Sequence, residues 1–395
     1  MPKTVEELRP YFEAQDRFDV IHAGARRRFG PRLIDLSYAN AYEGPDPAVV
    51  DAIRHALDDV RELSFQYTPY GGRTVTRRLI SARLQQEYEL PFVYRDVILT
   101  PGAMAALNIS FRTLLQPGEE LLVLTPCWID YPLYLANLGL TARFVGLDEN
   151  KHLDLKKIRQ AIGPQTKGII FSQPGCPSGV LFSREEIQAL AELLLDAEKE
   201  FGHPIYWISD EVHRHLVWSN EPFYSPMRCY PRCVTIYSFG KALFLQGQRI
   251  GYVAVSPSMP ERDVIREQLE RCVRMMGFCT PTNLMQRAVC DLLDYKPPLA
   301  KVAELQREIR SGLSASGYQV CPATATFFVY VKSPGPDEYP FVELLAGLGV
   351  LVLPSSIFYE SGYFRISVTA RPEAVLSSIP AFARALHEAK SLQHV

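Results

Sequence analysis

Between residues 96 and 255, short apolar runs alternate with longer amphipathic segments, and this alternation constrains the fold more than any other feature. The runs are DVILT (96–100), ELLVLT (120–125), KGIIFS (167–172), PIYWIS (204–209), CVTIYS (233–238) and RIGYVAV (249–255), each bounded by Gly, Pro or polar residues. Apolar stretches of this length read as strands buried on both faces. Between them lie helical patterns. The clearest runs from Arg184 to Phe201, where Ile187, Leu190, Leu193, Leu194 and Leu195 form a wide apolar face. Such alternation predicts an α/β fold with a mostly parallel sheet covered by helices on both sides. In that architecture ligands sit at the carboxyl ends of the strands, so functional residues are expected just after the runs.

The C-terminal part reads differently. TATFFVYVK, GVLVLP and YFRISV are expected strands, with helices over 302–316, 340–348 and 372–389, which suggests a smaller α+β domain. We divide the chain into 1–45 (an N-terminal arm and part of the small domain), 46–290 (the large domain) and 291–395 (the small domain), with Pro297-Pro298 near the second junction. The run Arg26-Arg27-Arg28 in the arm is expected to be a solvated helix face. The 42 Lys+Arg against 44 Asp+Glu leave no basic stripe of the kind nucleic-acid binders carry. No apolar run approaches the ~18 residues of a membrane-spanning helix, and the first residues lack the apolar core of a secretory signal. The eight cysteines are scattered without metal-ligand spacing, which fits reduced thiols in a cytoplasmic protein and no metal site.

The segment from Ser238 to Gly251 follows one expected strand and leads into the next. It supplies a hydroxyl at Ser238, an amine at Lys241 and a guanidinium at Arg249. Ser and Arg together make a phosphate clamp, because the guanidinium fork matches phosphate oxygens. A lysine between them suits a Schiff base with a phosphorylated aldehyde. Taken alone, a surface lysine in a polar loop fits equally well. In sequence order, however, Ser238, Lys241, Gly247, Arg249 and Gly251 match S-x-x-K followed by G-x-R-x-G. Here the chain resembles the pyridoxal 5′-phosphate enzymes of the aspartate-aminotransferase fold, aminotransferase class I/II, over nearly its whole length.

The resemblance implies a seven-stranded, mostly parallel sheet and a small domain built from both termini. It implies that Lys241 bonds the cofactor aldehyde and shuttles a proton, while Ser238 and Arg249 hold the phosphate. Asp210 would pair with the ring nitrogen, Gly102-Ala103-Met104 would open a helix at the phosphate, and Trp128 would stack on the ring. Tyr67 would reach the phosphate of a neighbouring subunit, implying a homodimer, and Arg365 would take the substrate α-carboxylate. Three positions depart from the family pattern. Cys176, in Gln173-Pro174-Gly175-Cys176-Pro177-Ser178-Gly179, stands where an asparagine donates to the cofactor's phenolic oxygen, facing the substrate as well. His213 stands where a tyrosine is directed at the same oxygen, and Gly240 replaces a serine before the lysine. A thiol is the poorer donor.

The expected activity is aminotransfer between an L-α-amino acid and a 2-oxo acid. One rival within enzymes is a lyase or cyclase that uses the same residues for β- or γ-elimination; the string DEVHRHLVW resembles the cystathionine β-lyase branch locally. A rival of another class is an inactive ligand-binding protein on the same fold. Retention of Lys241, Asp210, Arg249 and Arg365 argues against it, since a binding module needs no Schiff-base lysine. No nucleic-acid or membrane partner is expected.

Overall fold

The computed structural model describes residues 4–393 other than 43 and 61–63. Its strands are β1 (Ile34–Asp35), β2 (Val97–Thr100), β3 (Glu120–Thr125), β4 (Thr141–Gly146), β5 (Thr166–Ser172), β6 (Tyr206–Asp210), β7 (Cys233–Ser238), β8 (Gly251–Val255), β9 (Phe328–Lys332), β10 (Val350–Leu351), β11 (Leu353–Pro354) and β12 (Tyr363–Ser367). Seven of them form the central sheet in the order β2-β8-β7-β6-β5-β3-β4. The pairs among β4, β3, β5, β6 and β7 are parallel, and β8 runs antiparallel to both β7 and β2.

The apolar runs are continuous because both faces of the sheet are covered. Leu122, Leu124, Ile169, Phe171 and Trp207 enter one core, whereas Leu121, Val123, Ile170, Ile208 and Val234 enter the other. Six of the seven strands lie on the expected runs. The seventh, β4, went unread because it is an edge strand: only Val145 of TARFVG is buried, so no apolar run marks it. Helix Arg184–Phe201 has the expected bounds. Ser183 caps it in a box with Glu186, and Gly202 ends it in a left-handed conformation. One expected helix is two, Pro372–Ser377 and Ile379–Gln393, broken at Ser378.

A third core joins the two ends of the chain. Phe18 of helix Glu13–Phe29 and Leu36 pack with Leu313, Phe364 and Phe382, and β1 pairs in parallel with β10. Arg26, Arg27 and Arg28 are exposed on that first helix. Strands β9, β12 and β11 make a three-stranded antiparallel sheet beside it. Among the described residues, no helix is long and apolar enough to cross a membrane.

The topology brings the chemistry together. Strands β2, β3, β5, β6 and β7 point the same way, so their carboxyl ends lie along one edge of the sheet, where antiparallel β8 begins. There Gly251 is opposite both Thr100 and Ser238, and an added Cβ would lie 2.3 Å from the Tyr237 carbonyl oxygen and 3.1 Å from the Gly102 carbonyl carbon. Only a glycine lets the three segments meet. Gly251→Ala is therefore expected to lower stability by ~1–3 kcal/mol through overpacking, read as a lower denaturant midpoint at unchanged slope.

Candidate active site

At that strand edge lies a cavity of about 300 Å³. Ten of the residues singled out from sequence line it: Ala103, Met104, Trp128, Cys176, Asp210, His213, Ser238, Lys241, Arg249 and Arg365. Each lies at or after a strand end or at a helix start, except Arg249, which precedes β8, and Arg365, which comes from the middle of β12 in the small sheet. Two predicted residues lie elsewhere. Gly102 stands just behind the wall, and Tyr67 is 95% exposed outside this cavity.

Asp210 ends β6 as a buried carboxylate. Its Oδ2 accepts from the Tyr131 hydroxyl and its Oδ1 accepts from the Val212 amide at 3.3 Å. Burial lifts its pKa to about 6; the Tyr131 and Val212 hydrogen bonds work in the opposite direction. The next residue anchors the loop. Glu211, fully buried, accepts from Tyr88, Ser209, Ser225 and Thr235, and Arg214 lies 3.8 Å away. Tyr131 and Glu211 were not read from the sequence as site residues; Tyr131 sits three residues after Trp128, but nothing in that spacing marks its hydroxyl as a partner for Asp210.

Lys241 sits in the short helix Phe239–Ala242 directly after β7, capped by Ser238. Burial lowers its pKa, with Arg365 and Arg249 adding to the effect and Cys176 and Asp210 opposing it. The shift is toward the neutral amine, the form a nucleophile needs. The Cys176 thiol faces the same two influences. Burial raises its pKa, and although Arg365 and Lys241 pull it down, burial dominates, so the thiol stays protonated.

Two of the buried side chains lining the cavity have polar atoms without hydrogen-bond partners. His213 leaves both ring nitrogens unpaired while lying edge-on to Phe327 and Phe328, with centroids at 5.7 and 5.6 Å. Burial holds its pKa well below the ordinary value, and Lys241 and Arg365 push the same way, so the ring is neutral. Arg365 donates from one terminal nitrogen to the Ser37 carbonyl at 2.7 Å but leaves Nε unpaired. Its guanidinium carbon lies 4.2 Å from the Phe328 ring centroid and 4.9 Å from that of Phe358. A buried cation in aromatic surroundings has need of an anion.

The other end of the cavity suits a phosphate. Gly102 (φ +83°) caps helix Ala103–Leu114 without a side chain, leaving the first-turn amides open. An added Cβ on Gly102 would meet the Arg249 guanidinium at 2.7 Å, so the arginine lies against the bare glycine. Arg249, itself in a left-handed conformation, is tied by a 2.7 Å bond to the Gln246 carbonyl. The space beside Gly240 is tight: an added Cβ would lie 3.1 Å from the Gln246 Cα, so a side chain there would need the Gln246 backbone to give by a few tenths of an ångström. Gln246 lines the cavity and was missed in sequence, as were Gln15, Ile129, Ser172, Leu353 and Phe358. Gln15 belongs to the arm, and no local pattern announces its return to the sheet edge.

Residues 31–379 match the family model described as Aminotransferase class I and II. The chain belongs to that family. It is 29% identical over 376 residues to the aspartate/prephenate aminotransferase of Thermus thermophilus, covering 92% of this chain and 93% of that protein. A probable aspartate aminotransferase of Methanocaldococcus jannaschii is 29% identical over 338 residues, with 83% and 86% covered. An amino transferase from Eubacterium rectale superposes with a TM-score of 0.90 at 26% identity over 95% of both chains. The Thermus thermophilus aspartate aminotransferase with maleate gives 0.84 at 26% identity, covering 94% and 96%. The protein is thus an enzyme of aminotransfer, in a family that works with pyridoxal phosphate.

The buried Asp210 gives a test in the cofactor-free protein. Its pKa is raised from 3.8 to about 6, so its contribution to stability is full below pH 3.8 and is lost as pH rises through about 6. Asp210→Asn is expected to flatten the stability-against-pH curve between those values and to gain on the order of 1–3 kcal/mol at pH 7. Denaturant titrations at several pH values read this. Tyr131→Phe, which removes a lowering interaction, should move the wild-type step upward.

Proposed function

We propose that the cavity holds pyridoxal 5′-phosphate and that this chain uses it to move an amino group between an L-α-amino acid and a 2-oxo acid. When bound, that group supplies an electron sink for the charge left on the substrate Cα. The single observation that carries this reading is the convergence of a half-buried lysine with a buried carboxylate and a buried arginine around one cavity that has an open helix N-terminus at one end.

In this reading Ser238, Arg249 and the amides opened by Gly102-Ala103-Met104 hold the phosphate. Asp210, kept in place by Tyr131, pairs with the ring nitrogen, and Trp128 covers the ring. Lys241 would hold the aldehyde through Nζ and, when free, would move a proton at the substrate Cα. Arg365 takes the α-carboxylate with the guanidinium face not committed to Ser37, fixing which Cα bond faces Lys241. Cys176 and His213 flank the phenolic oxygen, with Cys176 also facing the substrate. His213, neutral and unpaired, is the stronger donor of the two. The exposed Tyr67 completes the phosphate site of a second copy in a homodimer. The free cysteines fit a cytoplasmic protein, and we keep the domain limits at residues 45 and 290.

A half-reaction tests the assignment: enzyme loaded with pyridoxal phosphate, an L-amino acid, and no acceptor. Aminotransfer yields one equivalent of 2-oxo acid per site and leaves the pyridoxamine form. Sustained release of ammonia or another leaving group means elimination instead. Lys241→Ala is expected to slow the step by roughly 10²–10⁴-fold, with partial rescue by added small amines. Tyr67→Phe is expected to weaken cofactor retention in the dimer and to leave sedimentation unchanged.

A further inference from the structure

A charged side chain outside the cavity lining is placed to decide where Arg365 stands. Lys151 follows the edge strand β4 and is, among the described residues, the one buried lysine. Its backbone is left-handed (φ +67°), in a turn closed by Asp148, whose carboxylate accepts from the Asn150 and His152 amides at 2.9 and 2.8 Å. A buried ammonium group and a left-handed residue bearing a side chain both cost free energy, which the surroundings must offset. The offset comes from Glu360: Lys151 Nζ donates to its Oε1 at 2.7 Å. Burial by itself would lower the lysine pKa, but the hydrogen bond and charge of Glu360 carry it upward, so the ammonium form persists.

Glu360 connects that lysine to the small sheet. Its other oxygen, Oε2, accepts from the Tyr330 hydroxyl at 2.7 Å. Tyr330 of β9 is directly opposite Arg365 of β12 in the antiparallel ladder, so the two side chains are neighbours on one face. Tyr363, two residues before Arg365, shares that face. Its ring stacks on Tyr330 with centroids 5.0 Å apart and planes 6° apart, and Lys151 Nζ lies 4.1 Å from its centroid. The residues just before Glu360 also meet the central sheet. The Cys127 amide donates to the Phe358 carbonyl at 3.0 Å, and Tyr359 stacks on Phe144 of β4 at 4.9 Å. Phe358 is in turn one of the rings against the Arg365 guanidinium. The place of a long arginine side chain follows from the strand that carries it and the rings beside it, and Glu360 lies between Phe358 and β12 in the chain.

We propose that Lys151 is a positioning residue for substrate binding: through Glu360 it fixes Phe358 and strand β12 against the central sheet, and so holds the Arg365 guanidinium where the substrate α-carboxylate meets it. The inference rests on the role proposed above for Arg365.

The test compares a substrate that has an α-carboxylate with one that lacks it. In the cofactor-loaded enzyme the half-reaction is followed with the fastest of the protein L-amino acids, and with the amine left when its α-carboxylate is removed. Lys151→Met is expected to raise the half-saturating amino-acid concentration about tenfold, while the rate constant for the amine stays within about twofold. Glu360→Gln, neutral and of the same length, is expected to do the same, and it carries the comparison alone where Lys151→Met does not fold. The double variant is expected to lose no more than about twofold beyond either single one, because both remove one interaction. Equal losses for amino acid and amine mean general loosening and overturn the proposal. So does a half-saturating concentration that neither variant moves, or losses that simply add in the double variant.

Arg365→Met separates this inference from the reading beneath it. Unchanged discrimination between amino acid and amine in that variant defeats the assignment of the α-carboxylate to Arg365. Discrimination lost there but kept in Lys151→Met and Glu360→Gln defeats only the positioning role. Where no amino acid reacts, aminotransfer itself fails, and calorimetric titration with 3-phenylpropanoate, a carboxylate without an amine, decides the positioning role. About tenfold weaker binding to Lys151→Met then supports it, and unchanged binding overturns it.

Discussion

A carboxylate kept out of water at the end of β6 is the constraint on which the site depends. Asp210 is buried, and its pKa near 6 reflects that burial. Such a group is stable only while its hydrogen-bond partners and neighbouring cations stay in place. Tyr131 supplies one partner from the loop after β3, and the Val212 amide supplies another from the turn that Glu211 ties down. Lys241 arrives from the short helix after β7. Three segments, those of Tyr131, Asp210 and Lys241, thus converge on one oxygen pair.

The same low-dielectric surroundings tune the other groups in different directions. Burial drives Lys241 toward the neutral amine, His213 to the neutral imidazole and Cys176 to the neutral thiol. Arg365 keeps its charge, because a guanidinium's ordinary pKa is too high for burial to neutralise it. The cavity consequently presents two guanidinium groups, Arg249 and Arg365, beside several groups that burial holds toward their neutral forms. The departures from the family pattern belong to this balance. Cys176 and His213 line the cavity with Lys241 and Arg365, and Gly240 lies close against the Gln246 backbone.

Shape and charge then divide the cavity. At one end of the cavity the backbone is packed so closely at Gly102 and Gly251 that side chains there are excluded. Side chains from the arm and the small domain, Gln15, Leu353 and Phe358 among them, also line it. Backbone geometry is demanding and uniform across such folds, whereas the far wall is free to vary with substrate.

The amino-acid sequence by itself determined the sheet, because strands buried on both faces must be written as unbroken apolar runs; only β4, an exposed edge, escaped that rule. It also marked Lys241, Asp210, Ser238, Arg249 and the Gly102 turn, since these occupy strand ends and helix starts, where local pattern and position coincide. Tertiary structure alone decided the rest. Tyr131 as the partner of Asp210, Gln246 beside Gly240, and Gln15, Leu353 and Phe358 on the far wall carry no local signature. Their roles arise from contacts between segments as much as 328 residues apart, such as Arg365 with Ser37. Periodicity reports which face of an element is buried; it does not report what that face meets.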